Sequence, residues 1–339
     1  MSKSKHILVL RFSALGDVAM TVPVIRALVE QYPQVQVTVV TRAFFAPLFK
    51  NIDNVTAFSA DLKGKHKGVL GLWKLSKELM ALKINAIADL HNVLRTKILR
   101  VFFFGKPLVA IDKGRAEKRA LILGKRFEQL KNTHQRYSDV FDALGYTIDM
   151  SKVNFPHKAS LDQNFLKPKR PNEKIIGVAP FAAFKSKEYP LEHMKKVIGE
   201  LSKKHHVLLF GGGEIQVKKL NTIALQNTNV TSIAGKFSLS DELDIISNLD
   251  LMLSMDSGNG HLAAIYNVPV VSIWGVTHPY AGFYPFHQNL DNALMADREQ
   301  FPEIPTSVYG NKYPNGYEQA IAEITPEQVV AKIHSVLKS

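Results

Sequence analysis

Four short stretches of this chain carry side chains whose types and spacing suit chemistry on a phosphorylated ligand. The first is Arg11-Phe-Ser-Ala-Leu-Gly-Asp17, with Pro23 beyond it. A strand ending at Arg11 and a helix opening near Asp17 put Ser13, Gly16 and Asp17 at a strand's carboxyl end, where open α/β sheets present functional groups. Gly16 lets a ligand approach the backbone closely. Asp17 is also a residue type that caps a helix ahead of an apolar-periodic run. The second is Leu253-Ser-Met-Asp-Ser-Gly-Asn-Gly-His-Leu-Ala-Ala264. Here a buried strand runs into Asp256, and Ser257, Gly258, Asn259 and Gly260 open a helix whose free amides and dipole suit phosphate. His261, one turn in, is placed to donate to phosphate or sugar oxygens or to serve a purely structural role. The third, Phe184-Lys-Ser-Lys-Glu-Tyr-Pro190, offers Lys185 and Lys187 to a leaving diphosphate, or is a solvated charged loop. The fourth is the tight turn Gly211-Gly-Gly-Glu214, where Glu214 is a helix-start charge or a ribose or base ligand.

Positioning these groups requires alternating strands and helices, and the sequence supplies them. In the first half, β-branched runs predict strands at His6–Arg11, Gln36–Thr41, Val55–Ser59, Ala86–Leu90 and Leu108–Ile111. Helical periodicity predicts helices at Asp17–Gln31, Val69–Leu82, Val93–Phe103 and Arg136–Leu144. The second half repeats the alternation from Ile175 to Tyr266, with strands at Ile175–Ala179, His206–Phe210, Val230–Ile233, Leu249–Ser254 and Val268–Trp274, and helices at Leu191–Lys203, Ile215–Leu225, Asp241–Ser247 and Gly258–Tyr266. The fold class is therefore α/β: two Rossmann-like domains with parallel sheets facing a central cleft. Residues 1–166 form the first domain and 175–324 the second, joined by a linker at 167–174 within the proline- and charge-rich Leu166–Lys174. Residues 325–339 form a helix, capped by Thr325 with Pro326 at its first position, expected to pack back across the domain boundary.

The chain has 339 residues, 43 Lys and Arg against 30 Asp and Glu, and no cysteine. The absent cysteine removes disulfides, thiolate metal sites and thiol nucleophiles. The first apolar run ends at Arg11 with no cleavage site after it, and no stretch is long enough for a membrane span, so a soluble, cytoplasmic protein is expected. Cut at Pro171, the first half holds 29 basic and 13 acidic residues, a net +16, and the second a net −3. Such a half suggests an acidic partner: nucleic acid, a membrane surface or an anionic small molecule. No H-E-x-x-H pair, G-x-S-x-G elbow or D-x-D metal clamp is present. The glycines at 258 and 260 spell a dinucleotide fingerprint, but the acidic ribose ligand some twenty residues on is missing.

Taken together and in order, Arg11-x-Ser-x-x-Gly-Asp17-x5-Pro23, Lys187-x-Tyr-Pro190 and Asp256-Ser-Gly-x-x-His261-Leu-Ala-Ala resemble glycosyltransferase family 9, the bacterial heptosyltransferases. Gly211-Gly212 with Glu214, and Asp89-Leu90 with Arg95, fit the same pattern. The resemblance spans nearly the whole chain and implies a GT-B fold with an acceptor-binding first domain and a nucleotide-sugar-binding second domain. It implies that Asp17 is the general base of an inverting transfer from ADP-heptose. Lys187, Asp256 and His261, with Lys185, Glu214 and Ser257–Gly260, fall on the donor side. Arg11, Ser13, Gly16, Asp89, His91 and Arg95 fall on the acceptor side, with Arg115 and Arg119 in the basic stretch Arg115–Arg126. No cofactor or metal is implied, because lysine and helix amides take the place of a metal at the diphosphate. The implied acceptor is the anionic inner core of lipopolysaccharide, reached by transient contact at the cytoplasmic face of the inner membrane, and not nucleic acid. Ala182 and Ala183 stand where the family often has Thr or Ser, which leaves a differently specific or non-catalytic homologue as the alternative. A nucleic-acid-binding protein would be recognised by steep salt dependence.

Overall fold

The computed structural model describes residues 5–161 and 172–338. In chain order the first elements are β1 (Lys5–Leu10), α1 (Leu15–Ala19), α2 (Thr21–Gln31), β2 (Val35–Thr41) and β3 (Val55–Ser59). They are followed by α3 (Gly68–Met80), β4 (Ala86–Asp89), α4 (Leu94–Val101), β5 (Leu108–Ala110), α5 (Arg115–Ile122) and α6 (Thr133–Ala143). After the interval come β6 (Ile175–Ala179), α7 (Leu191–Ser202), β7 (His206–Leu209), α8 (Glu214–Leu225) and β8 (Val230–Ser232). The chain ends with α9 (Leu239–Ile246), β9 (Leu251–Met255), α10 (Gly258–Ile265), β10 (Val270–Trp274), β11 (Ala293–Met295) and α11 (Pro326–Val336).

Two parallel sheets result, ordered β3-β2-β1-β4-β5 and β11-β10-β9-β6-β7-β8. The central strands are buried along their length, and so read as continuous apolar runs rather than alternating ones. In the first sheet the crossovers from β1 to β2 and from β3 to β4 run in opposite directions. Right-handed connections therefore place α2 and α3 on opposite faces. Leu8 and Leu10 of β1 form one core with Leu72, Leu75 and Leu79 of α3 and Leu99 of α4. The helix predicted over Asp17–Gln31 divides at Met20 into α1 and α2, where the Thr21 hydroxyl bonds the Val18 carbonyl at 2.7 Å.

The chain forms two compact units whose boundary differs from the expected one. The first runs to Lys113 and resumes over Thr133–Phe155; the second takes Gly114–Asn132 and the chain from Pro156 onward. The expected division at 166 thus moves to Phe155–Pro156, and residues 162–171, which hold most of the expected linker, lie outside the described residues. Gly114–Asn132 joins the second unit because Leu121 and Leu130 bury themselves with Ala281, while the Arg298 guanidinium stacks 3.4 Å over the Phe127 ring. The terminal helix α11 belongs to the second unit. Its Val329 and Ile333 share the second unit's own core with Val197 and Leu201 of α7.

These boundaries change the meaning of the charge. The first unit carries 19 basic and 10 acidic residues, a net +9, and the second 24 and 20, a net +4. The contrast of +16 against −3 arose from a cut that assigned basic residues of the second unit to the first.

Candidate active site

In the first unit the functional groups gather where β1 and β4 end. Leu10 pairs with Asp89 across these strands, and the sheet order reverses here, the place where α/β sheets open a crevice. Arg11, one residue past β1, is almost fully buried. One of its terminal nitrogens donates to the Leu90 carbonyl at 2.7 Å, and the other lies 2.5 Å from Asp17 Oδ2. Asp17 is the third residue of α1 rather than its cap; the cap is Ala14, whose N–H donates to Asp17 Oδ2 at 3.3 Å. The Asp17 side chain is one-third exposed while its arginine partner is 7 % exposed. A buried cation thus holds a carboxylate that still faces solvent. The Tyr137 hydroxyl donates to the Asp17 backbone carbonyl at 3.2 Å from a buried position, and burial raises its pKa. Ser13 is half-buried beside this turn, and the Gly16 carbonyl accepts from Met20 N–H, closing it.

His91 completes the group. Its Nδ1 accepts the Phe12 N–H at 3.4 Å, and burial, reinforced by the charges of Arg11 and Lys113, pushes its pKa down to about 3. The ring is therefore neutral at physiological pH, with its hydrogen on Nε2. Asp89 plays a different part from the acceptor contact expected of it. It is fully buried, accepts the His91 and Asn92 amides at 3.0 and 2.8 Å, and pairs with Arg100 at 3.3 Å. A carboxylate removed from water needs such compensation, so Asp89 shapes the turn that carries His91. Arg95, the arginine singled out beside it, projects into solvent from α4. Arg115 and Arg119 lie on α5, exposed, and belong to the second unit rather than to the first, where they were expected.

In the second unit the order reverses between β6 and β9, and the same relation recurs. Asp256 follows β9, and Lys187 lies in a 3₁₀ turn between β6 and α7. Their side chains meet at 2.8 Å, both nearly buried, and the Thr277 hydroxyl donates to the same Asp256 oxygen at 2.9 Å. Gly310 lies along the lysine stem. With φ +81°, it sits where a Cβ would come within 2.7 Å of Lys187 Cγ and Cδ, and its carbonyl accepts the Ser186 hydroxyl. Sequence reasoning missed the pairing of Arg100 with Asp89, and missed Tyr137, Thr277 and Gly310. Only Thr277 carried a signal, lying just past the strand predicted to end at Trp274.

The amino end of α10 offers fewer amides than expected. The Gly260 N–H is taken by Ser254 Oγ at 3.1 Å, which withdraws it from the four amides of Ser257–Gly260 expected to meet a ligand. His261 is buried on this helix. Lys185 and Glu214 are not gathered into the site: Lys185 is 83 % exposed and paired with Glu188, and Glu214 is 80 % exposed and paired with Lys218.

A family model, glycosyltransferase family 9 (heptosyltransferase), matches residues 72–311. The chain belongs to this family. As a family 9 member it is a glycosyltransferase enzyme. It is 26% identical to the lipopolysaccharide core heptosyltransferase OpsX of Haemophilus influenzae over 307 residues, covering 87% of this chain and 85% of that one. Its fold resembles the family 9 glycosyl transferase of Veillonella parvula, with a TM-score of 0.77 at 20% identity over 100% of this chain and 98% of the other. The Escherichia coli ADP-heptose lps heptosyltransferase II matches with a TM-score of 0.69 at 21% identity, over 98% of each chain. The family 9 fold is thus GT-B, as the two parallel sheets indicate. Among the described residues, no helix of this glycosyltransferase is long and apolar enough to cross a membrane.

Proposed function

We propose that this family 9 enzyme transfers a heptose from ADP-heptose to the inner core of lipopolysaccharide with inversion at the anomeric carbon. The observation that carries the reading is the solvent-facing Asp17 carboxylate held by buried Arg11 beyond β1. Asp17 takes the proton of an acceptor hydroxyl as that oxygen bonds to the anomeric carbon, while the carbon–oxygen bond to ADP breaks with its electron pair leaving on the diphosphate. The diphosphate charge is met by Lys187 and by the amides of Ser257, Gly258 and Asn259. Asp256 holds Lys187 at 2.8 Å, so the ammonium shares itself with the incoming phosphate rather than being newly desolvated. This charge arrangement does the work of a metal clamp, and transfer is expected to persist in EDTA. Neutral His91 lies behind the base as a polar, uncharged neighbour that does not compete with Arg11 for the carboxylate. The acceptor is anionic, glycolipid and membrane-borne, so the enzyme meets the cytoplasmic face of the inner membrane transiently; nucleic acid is not its partner.

The test is turnover of ADP-, UDP- and GDP-sugars on a detergent-dispersed inner-core acceptor, with the product anomer read by NMR. Preferred turnover of ADP-heptose with inverted configuration supports the reading. Retention of configuration removes Asp17 from the role of base.

A further inference from the structure

The outer surfaces of α3 and α4 belong to the first unit and take no part in the site described above. On α3 the positions Gly71, Leu72, Leu75, Ser76 and Leu79 are buried, and the opposite stripe is exposed. That stripe carries Leu70, Trp73 and Met80 at 77 %, 43 % and 42 % exposure. The neighbouring α4 does the same with Leu94 and Val101, and Phe104 just beyond it is 99 % exposed. The two helices share one core through Leu72, Leu75 and Leu99, so their outward stripes lie side by side. Large apolar side chains clustered on a soluble surface mark a place of interaction.

The charge around them says with what. Lys63, Lys65 and Lys67 stand exposed in the loop entering α3, and Lys74 and Lys77 on the helix itself. The carboxylates of this segment are engaged within it. Asp61 accepts the amides of Lys63, Gly64 and Lys65, and Glu78 is bound by Lys65 at 2.8 Å and by His66 at 3.3 Å. The lysine loop is a built feature: buried His66 ties back to Asp61, and a Cβ on Gly71 would collide with the His66 backbone. On the exposed stripe the Lys77 ammonium sits 4.2 Å over the Trp73 ring, joining an aromatic and a cation of the kinds found at lipid headgroups.

We propose that the α3–α4 surface docks the enzyme onto an anionic phospholipid bilayer, with Leu70, Trp73 and Phe104 entering the headgroup boundary and the surrounding lysines meeting lipid phosphates. A second copy of the chain is the weaker occupant, because two such lysine-rich faces repel. Nucleic acid would use the lysines but leave the aliphatic side chains wet. The proposal extends the transferase reading, whose acceptor is a glycolipid, and fails or stands independently of it.

The experiment is flotation of the full chain with phosphatidylethanolamine vesicles, made with and without phosphatidylglycerol. Binding should require phosphatidylglycerol, weaken with added salt, and fall about fivefold for each lysine replaced among Lys63→Glu, Lys67→Glu, Lys74→Glu and Lys77→Glu. Leu70→Asn should weaken it at every salt concentration, while Lys203→Glu with Lys218→Glu in the second unit should not. ADP binding and turnover of detergent-dispersed acceptor should be unchanged in all of these variants. Equal flotation of wild type and the lysine variants overturns the proposal, as does wild-type binding indifferent to phosphatidylglycerol. A wild-type dimer dispersed by Leu70→Asn assigns the surface to a second copy and also overturns it. If the multiple variant does not fold, the lipid and salt dependence of the wild type decides. Lysine-dependent flotation without any transfer would leave the docking surface standing and remove the transferase reading.

Discussion

Both units place a cation and a carboxylate beyond the carboxyl end of a parallel sheet, at the point where strand order reverses. They are tuned in opposite senses. In the first unit the cation is buried and the carboxylate one-third exposed, so the acidic group is presented for chemistry while Arg11 fixes its position. In the second unit Lys187 and Asp256 are both nearly buried, with Thr277 donating to the same carboxylate oxygen that Lys187 meets. That pair suits an electrostatic floor for a ligand. The difference teaches that the same pairing offers a solvent-facing carboxylate in one unit and a nearly buried ion pair in the other, which on the proposed function serve as base and phosphate clamp.

The largest break in this comparison comes from Asp17→Asn. It keeps the shape of the turn and removes the proton acceptor, so kcat should fall by about 10²- to 10⁴-fold with ADP affinity unchanged, measured by steady-state kinetics and calorimetry. Lys187→Ala acts on the other pair and should show in stability as well as activity. Among the described residues the Asp256 carboxylate then keeps Thr277 alone as a side-chain partner, and loss of one member of a nearly buried pair costs about 3 kcal/mol. The unfolding midpoint and ADP affinity should both drop; an unchanged midpoint would mean that Asp256 is more hydrated than its burial indicates.

A smaller effect, shared by the units, depends on pH. The folded pKa of His91 lies near 3, below the unfolded value of about 6.5, so its neutral form is the one the fold favours. Its contribution is complete above about pH 6.5 and is lost as pH falls toward 3, because the unfolded chain then binds the extra proton. At pH 5 the loss is about 2 kcal/mol. His278 in the second unit, pushed to about 4 by burial and then by the Arg298 charge, behaves with the same sign. His91→Asn retains an acceptor at the δ position for the Phe12 amide and should remove the His91 share of the acid sensitivity, read as denaturant unfolding at pH 7 and pH 5. The smallest effect sharpens the edge of the donor site. Lys185→Ala and Glu214→Ala should leave the unfolding midpoint unchanged and turnover within about twofold, since both side chains are exposed and paired locally.

Much of the fold was legible because its signals are local. The strand Val55–Ser59 and the strand Ile175–Ala179 coincide with their β-branched runs, and α7 and α8 differ from expectation by a single residue at one end. Two short elements held by distant partners, α5 and β11, were not legible. The helix α5 has only eight residues and a mostly polar sequence, and it is held by contacts with residues far along the chain, so its basic stretch was assigned to the wrong unit. The strand β11 has three residues and exists through its pairing with β10.

The sequence by itself determined the alternation of strands and helices, the position of Asp17 and Asp256 past strand ends, and the family pattern, since each is a matter of residue type and spacing. Tertiary structure decided the partners. Arg11 meeting Asp17, Arg100 rather than Arg95 meeting Asp89, and Gly310 lying along Lys187 follow from the register of strands and the course of loops. The net charge of +13 is a sum that any sequence count yields. Its division into +9 and +4 depends on where Gly114–Asn132 packs, and burial of apolar side chains against distant residues sets that, not proximity along the chain.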